Sequence, residues 1–179
     1  MDNTGFPVVG IGASAGGIDA FRNFFERLPA DAGMAFVVIL HLPADRKSML
    51  TDILQRWTGM RVVDADDGTQ IEPDCVYVPP PHSVVTLADG RLRVQPSGPD
   101  EQRFFRPIDS FFDSLGTALR ERAVGIVLSG TGSDGALGLK VIKECGGLTI
   151  AQGSQGSAPE YPGMPGAAIA TGSVDLVTS

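Results

Sequence analysis

Apolar residues along this chain follow two rhythms. Short unbroken runs at Phe6 to Ile11, Met34 to Leu40, Ala123 to Leu128 and Leu148 to Ala151 have the length and continuity of strands buried on both faces. Between them, apolar positions recur every three or four residues. Four sets do so: Ile18, Phe21, Phe24, Phe25 and Leu28; Leu50, Ile53, Leu54 and Trp57; Ile108, Phe111, Phe112, Leu115 and Leu119; and Leu137, Val141, Ile142 and Cys145. Each set predicts an amphipathic helix with that face inward. Pro29 ends the first helix, Ser48 caps the second, Pro107 opens the third and Gly146-Gly147 stop the fourth. Arg61 to Ala65 and Cys75 to Val78 read as shorter strands. Ser83 to Leu87 and Arg91 to Gln95 alternate in polarity around Asp89-Gly90, a hairpin signal. Met164 to Ala170 suits a short helix and Val174 to Val177 an edge segment, while Pro96 to Arg106 and Gln152 to Pro162 read as loops. Strands alternating with helices predict an α/β fold. It is doubly wound, with a mostly parallel sheet, helices on both faces and an antiparallel hairpin insertion. All 179 residues fit one domain.

Composition narrows the class. The 42% hydrophobic and 20% charged residues suit a soluble globular domain. The net charge of −7, with no block of Lys or Arg, argues against nucleic acid as a partner. No apolar run spans a bilayer and no signal peptide opens the chain, so the expected location is cytoplasmic without membrane insertion. Cys75 and Cys145 lack metal-ligand spacing and no metal site is expected. The acidic loop Asp64, Asp66, Asp67, Gly68 lacks the spacing and terminal glutamate of a calcium loop and reads as solvated.

The candidate chemistry starts at Gly10-Ile11-Gly12-Ala13-Ser14-Ala15-Gly16-Gly17, where the first strand turns into the first helix. Gly12 to Gly16 form a G-x-S-x-G elbow, whose small residues permit a sharp turn that exposes a serine hydroxyl. Gly10, Gly12 and Ala15 also satisfy a dinucleotide fingerprint, and a plain reading makes Ser14 only a helix cap. The dinucleotide reading wants an acid at the end of the second strand, where His41 stands instead. Ligands of such sheets bind beyond the carboxyl ends of the strands. Ser14, His41 and Asp134 each follow a strand there, in the roles of nucleophile, base and acid. Backbone N–H groups of Ala15 and Thr131, among small residues, are the candidate oxyanion donors. The order Ser, His, Asp differs from the Ser, Asp, His order of α/β-hydrolases. Plain readings make His41 a strand-end histidine and Asp134 the cap of the helix at Ala136 to Glu144. His82, after three prolines, is a second candidate base or a rim residue facing substrate.

These stretches resemble the catalytic domain of the CheB-type chemoreceptor methylesterases. The resemblance is carried by the Ser14 elbow, His41-Leu42-Pro43, Tyr77-Val78-Pro79 with His82, Arg106-Pro107-Ile108-Asp109, Leu128 to Ala136, and Gly163-Met164-Pro165 with Ala168-Ile169, in order along nearly the whole chain. It implies hydrolysis of γ-glutamyl methyl esters on chemoreceptor helices, deamidation of certain receptor glutamines, and no cofactor. It places the catalytic serine, histidine and aspartate on Ser14, His41 and Asp134, and substrate contacts on Gly12, His82, Arg106, Gly132 and Met164. The His41 and Asp134 stretches look closer to esterase domains fused to a CheR-type methyltransferase than to stand-alone members, which makes such an enzyme an expected fused or separate partner. Thr131 stands where stand-alone members usually have methionine, and Gly166 where a basic residue is common. A binding or regulatory module that keeps the fold without turnover is the alternative reading, and a nucleotide-binding domain is the second.

Overall fold

The computed structural model describes residues 4–41, 49–98, 105–153 and 158–179. The expected cap at Ser48, Leu42-Pro43 and parts of both expected loops lie outside them. Seven strands form one sheet: β1 (Val8–Ala13), β2 (Ala35–Leu40), β3 (Arg61–Asp64), β4 (Cys75–Val78), β7 (Ala123–Val127), β8 (Leu148–Gln152) and β9 (Leu176–Thr178). Their order is β3-β4-β2-β1-β7-β8-β9, and every adjacent pair is parallel. The hairpin β5 (Ser83–Ala88) and β6 (Arg91–Pro96) makes a separate two-stranded sheet rather than joining the main one. Its inward residues Val85, Leu87 and Leu92 are buried, and the Leu87 N–H donates to Ser114 Oγ at 3.0 Å.

Period-two alternation in β1 divides the interior into two layers. Val9, Ile11 and Ala13 face α1 (Gly17–Phe25) and α2 (Leu50–Gln55), packing with Phe21, Phe25, Phe36 and Leu54. Val8 faces the other layer, with Phe111 and Phe112 of α3 (Pro107–Leu119), Leu139 and Ile142 of α4 (Ala136–Glu144), and Ala168 of α5 (Gly163–Ala170). Gly12 lies on the same face as Val8, and a Cβ built there would stand 2.5 Å from Ile108 Cγ2. Gly12 is therefore a buried, close-packing residue inside β1. Gly12→Ala should overpack this contact and cost about 1–3 kcal/mol. Denaturant midpoints would show the loss.

The helix at Ala136–Glu144 has the expected bounds but a different inward face. Ala136, Leu139 and Ile142 are buried, whereas Leu137 is 61% exposed. Gly138 must face α3, and this rotates Leu137 outward.

The β9 edge is clipped to β8 by Asp175. Its carboxylate accepts from the Thr149 N–H at 3.1 Å and Thr149 Oγ1 at 3.0 Å, and pairs with Lys143. The Lys143 ammonium, helped by Thr149, holds the Asp175 carboxyl below its ordinary 3.8. A lowered carboxyl contributes stability that is present above the ordinary value and lost as pH falls through the lowered one. Asp175→Asn should therefore be less stable at neutral pH and lack this part of the acid loss, measured as melting temperature against pH beside the parent.

Candidate active site

The chain runs outward from β1 through β2 on one side, then returns to β1's other side with β7. The helices after β1 and β7, α1 and α4, cover opposite faces. A crevice opens at such a reversal, at the carboxyl ends of the strands. Ser14 follows β1 there, His41 follows β2 and the Ser129–Gly135 loop follows β7.

The serine turn is pinned from both sides. The His41 N–H donates to Ala13 O at 3.0 Å, extending the β1–β2 ladder by one step, and the Ser14 N–H donates to Ser129 O at 3.0 Å. Gly16 makes the turn with φ of 72°, in the left-handed region that favours glycine. Ser129, 1% exposed, ties the turn to two further segments. Its Oγ donates to Ala15 O at 2.9 Å and accepts from the Tyr161 N–H at 3.0 Å, while its N–H donates to Gln152 Oε1 at 2.9 Å. Met164 is buried beneath. A Cβ on Gly130 would lie 2.9 Å from both Ser14 Cβ and Met164 Cε, so Met164 reaches the site as packing under the serine. Among the described residues, no acceptor takes the N–H of Ala15 or Thr131.

Asp134 is 8% exposed and stands between two helix starts. Its Oδ2 accepts from the Ile108 N–H at 3.1 Å, and its Oδ1 from the N–H groups of Asp109 at 3.0 Å and Gly135 at 2.9 Å. It thus caps α3 rather than α4, whose own N-cap residue is Gly135 and has no side chain to offer. His41 Nε2 lies 4.0 Å from Asp134 Oδ2, with 37% of the histidine side chain exposed. Closing that gap to a hydrogen bond needs a shift of about 1 Å, a tightening ordinary for catalytic pairs on substrate binding. Burial pushes the Asp134 carboxyl above its ordinary value; the Asp109 and Ile108 N–H groups act against burial, Asp109's charge acts with it and His41 acts against it.

Phe105 links the two histidines. Its ring centroid is 5.6 Å from that of His41 and 6.2 Å from that of His82, nearly parallel to the latter. His82 adopts φ of 55°, and its buried Nε2 has no hydrogen-bond partner among the described residues. His82 stacks on Phe105, whose ring also packs against His41. Arg106 is 40% exposed in its side chain and forks onto Asp109 and Ser133. Thr131 and Gly132 are exposed at the rim. No group of three or more His, Cys, Asp and Glu among the described residues is placed to hold a metal ion.

The CheB methylesterase family model matches residues 9–179. The chain belongs to the CheB methylesterase family. A protein-glutamate methylesterase/protein-glutamine glutaminase of Myxococcus xanthus is 36% identical over 95% of this chain and 50% of its own length. A putative one of Leptospira interrogans is 33% identical over 97% of this chain and 89% of its own. The chain thus spans about half the length of the first of these curated relatives. The crystal structure of the Thermotoga maritima CheB methylesterase catalytic domain superposes with a TM-score of 0.85. It is 26% identical and covers 98% of this chain and 93% of that one. The predicted CheB fold, a parallel sheet between helices with an antiparallel hairpin, therefore holds. Among the described residues no helix is long and apolar enough to cross a membrane.

Two contributors to this candidate site carry little signal in the sequence. Phe105 sits in a stretch that reads as polar loop, and its contacts with His41 and His82 are long-range. Ser129 lies at the end of a buried strand, where its only signal is a hydroxyl in a run that otherwise packs as core.

Proposed function

We propose that this domain is a serine esterase that removes methyl groups from glutamate side chains of chemoreceptor-like proteins. The supporting observation is the single crevice that holds Ser14 on its pinned turn, His41 and the buried Asp134. The names of the curated relatives supply the substrate class. Ser14 Oγ attacks the ester carbonyl carbon while His41 takes the hydroxyl proton. The Ala15 and Thr131 N–H groups receive the oxyanion. The tetrahedral intermediate collapses by breaking the bond to methoxide, which His41 protonates to methanol. Water, deprotonated by His41, then cleaves the glutamyl–Ser14 ester and frees the carboxylate. Attack on a receptor glutamine would follow the same path and release ammonia, matching the second half of the relatives' names. Asp134 orients the imidazole and stabilises its charged form.

Gly132 and the exposed edge of Arg106 are the substrate-facing rim of this reading, with His82 supporting it through Phe105. The substrate lies on cytoplasmic receptor helices, and a methyltransferase of the CheR type, fused or separate, is the enzyme that makes the ester. The deciding experiment is methanol release from a methylated chemoreceptor fragment. Release by the wild type and not by Ser14→Ala supports the proposal. A wild type that binds the fragment yet releases nothing would favour the binding-module alternative.

A further inference from the structure

We infer that Asp109 is a positioning residue for Asp134, holding the catalytic carboxylate in place by locking the starts of α3 and α4 crosswise. The inference rests on the triad proposed above.

The first N–H groups of any helix need partners from outside it. Here each of the two helices takes them from the other's acid. Asp134, just before α4, receives the Ile108 and Asp109 N–H groups of α3 at 3.1 and 3.0 Å. Asp109, in the first turn of α3, receives the Gly138 N–H of α4 on Oδ1 at 2.7 Å. Its other oxygen, Oδ2, takes Arg106 Nε at 2.6 Å. The same guanidinium donates through Nη2 to Ser133 O at 2.8 Å and through Nη1 to Ser133 Oγ at 3.3 Å. The ring is closed: α3 holds Asp134, Asp109 holds α4, and Arg106 holds the residue before Asp134.

The helices approach closely enough for this only because position 138 lacks a side chain. A Cβ there would stand 3.0 Å from Asp109 Cα and O. The direction of Asp134 Oδ2, which faces His41, is set by the Ile108 N–H. The place of that N–H is set by where α3 sits on α4. Asp109 joins those helices at the end nearest the crevice, with 13% of its side chain exposed. A misplacement of about 1 Å in a reacting constellation costs on the order of 10²-fold in rate.

The test uses a small fluorophosphonate, which reports Ser14 nucleophilicity without any protein substrate. Wild type, Asp109→Asn and Asp109→Ala are compared for the maximal inactivation rate and for the half-saturating probe concentration, with melting temperatures measured alongside. Asparagine keeps an acceptor for the Gly138 N–H and loses only the Arg106 pair; alanine loses both. The expected result is a fall in maximal rate of about 5-fold for asparagine and on the order of 50-fold for alanine, below the ceiling for full misplacement. Half-saturation should stay within about twofold in both, since the probe does not touch Asp109. If alanine does not fold, asparagine alone decides. A folded variant with a maximal rate within twofold of wild type overturns the inference. A wild type that the probe does not label overturns the triad, and this inference falls with it. A labelled wild type that releases no methanol from the receptor fragment overturns only the proposed substrate.

Discussion

Ser14→Ala should abolish methanol release and fluorophosphonate labelling while leaving the fold intact. The hydroxyl stands on a strand-to-helix turn whose pins are backbone hydrogen bonds. The Ser14 N–H still reaches Ser129 O, and the Gly17 N–H still reaches Ser14 O at 2.9 Å, in the alanine variant. Alanine therefore removes the proposed nucleophile and little else. Loss of a triad member costs on the order of 10⁴-fold or more in turnover, with a residue left by binding and the oxyanion donors. Rates measured on a methylated receptor fragment, with melting temperatures as the control, check both halves. Activity within tenfold of wild type would remove Ser14 from the mechanism.

Asp134→Asn should cost nearly as much, for a reason visible in its hydrogen bonds. Three N–H groups converge on this carboxylate, and His41 approaches Oδ2. An amide has one acceptor oxygen. If that oxygen keeps the Asp109 and Gly135 N–H groups, the amide NH₂ takes the place of Oδ2. It then opposes the Ile108 N–H and cannot accept from the imidazole. His41 loses the partner that selects its tautomer and stabilises its protonated form, an effect on the order of 10⁴-fold in turnover. The pH dependence supplies a second readout. Burial raises the Asp134 carboxyl above 3.8. A raised carboxyl contributes stability that is present below the ordinary value and lost as pH rises through the raised one. Wild type should carry that loss and the asparagine variant should not, as seen in the difference between their melting temperatures across acid pH. A variant that hydrolyses the fragment at wild-type rate would show that Asp134 is only a helix cap.

Much of this candidate site is legible in the chain's local pattern. The order of strands and helices, the bounds of the helix at Ala136–Glu144 and of the strand at Cys75–Val78, and the placing of Ser14, His41 and Asp134 after strands all follow from the local pattern. Periodicity and turn glycines are properties of a few neighbouring residues, so they can be read in one dimension. The harder questions concerned partners far along the chain. Asp134 reads locally as the cap of α4, the helix it precedes. The close packing of α3 against Gly138 and Gly12 instead brings the N–H groups of Ile108 and Asp109 to it, from 26 and 25 residues away. The same packing turns Leu137 outward against its apolar character. Phe105 reads as part of a polar loop, and its place between the two histidine rings depends on where β2 and the hairpin leave them.

The sequence by itself thus determined the alternating α/β fold, the sheet edge that holds the candidate site and the three residue types standing there, because each is encoded by neighbours in the chain. Only the tertiary structure decided which carboxylate oxygen faces His41, which helix Asp134 caps, and that Asp109 and Arg106 close the ring behind it. Those contacts join segments separated by loops and whole helices, and close packing of the two layers, not local preference, selects them.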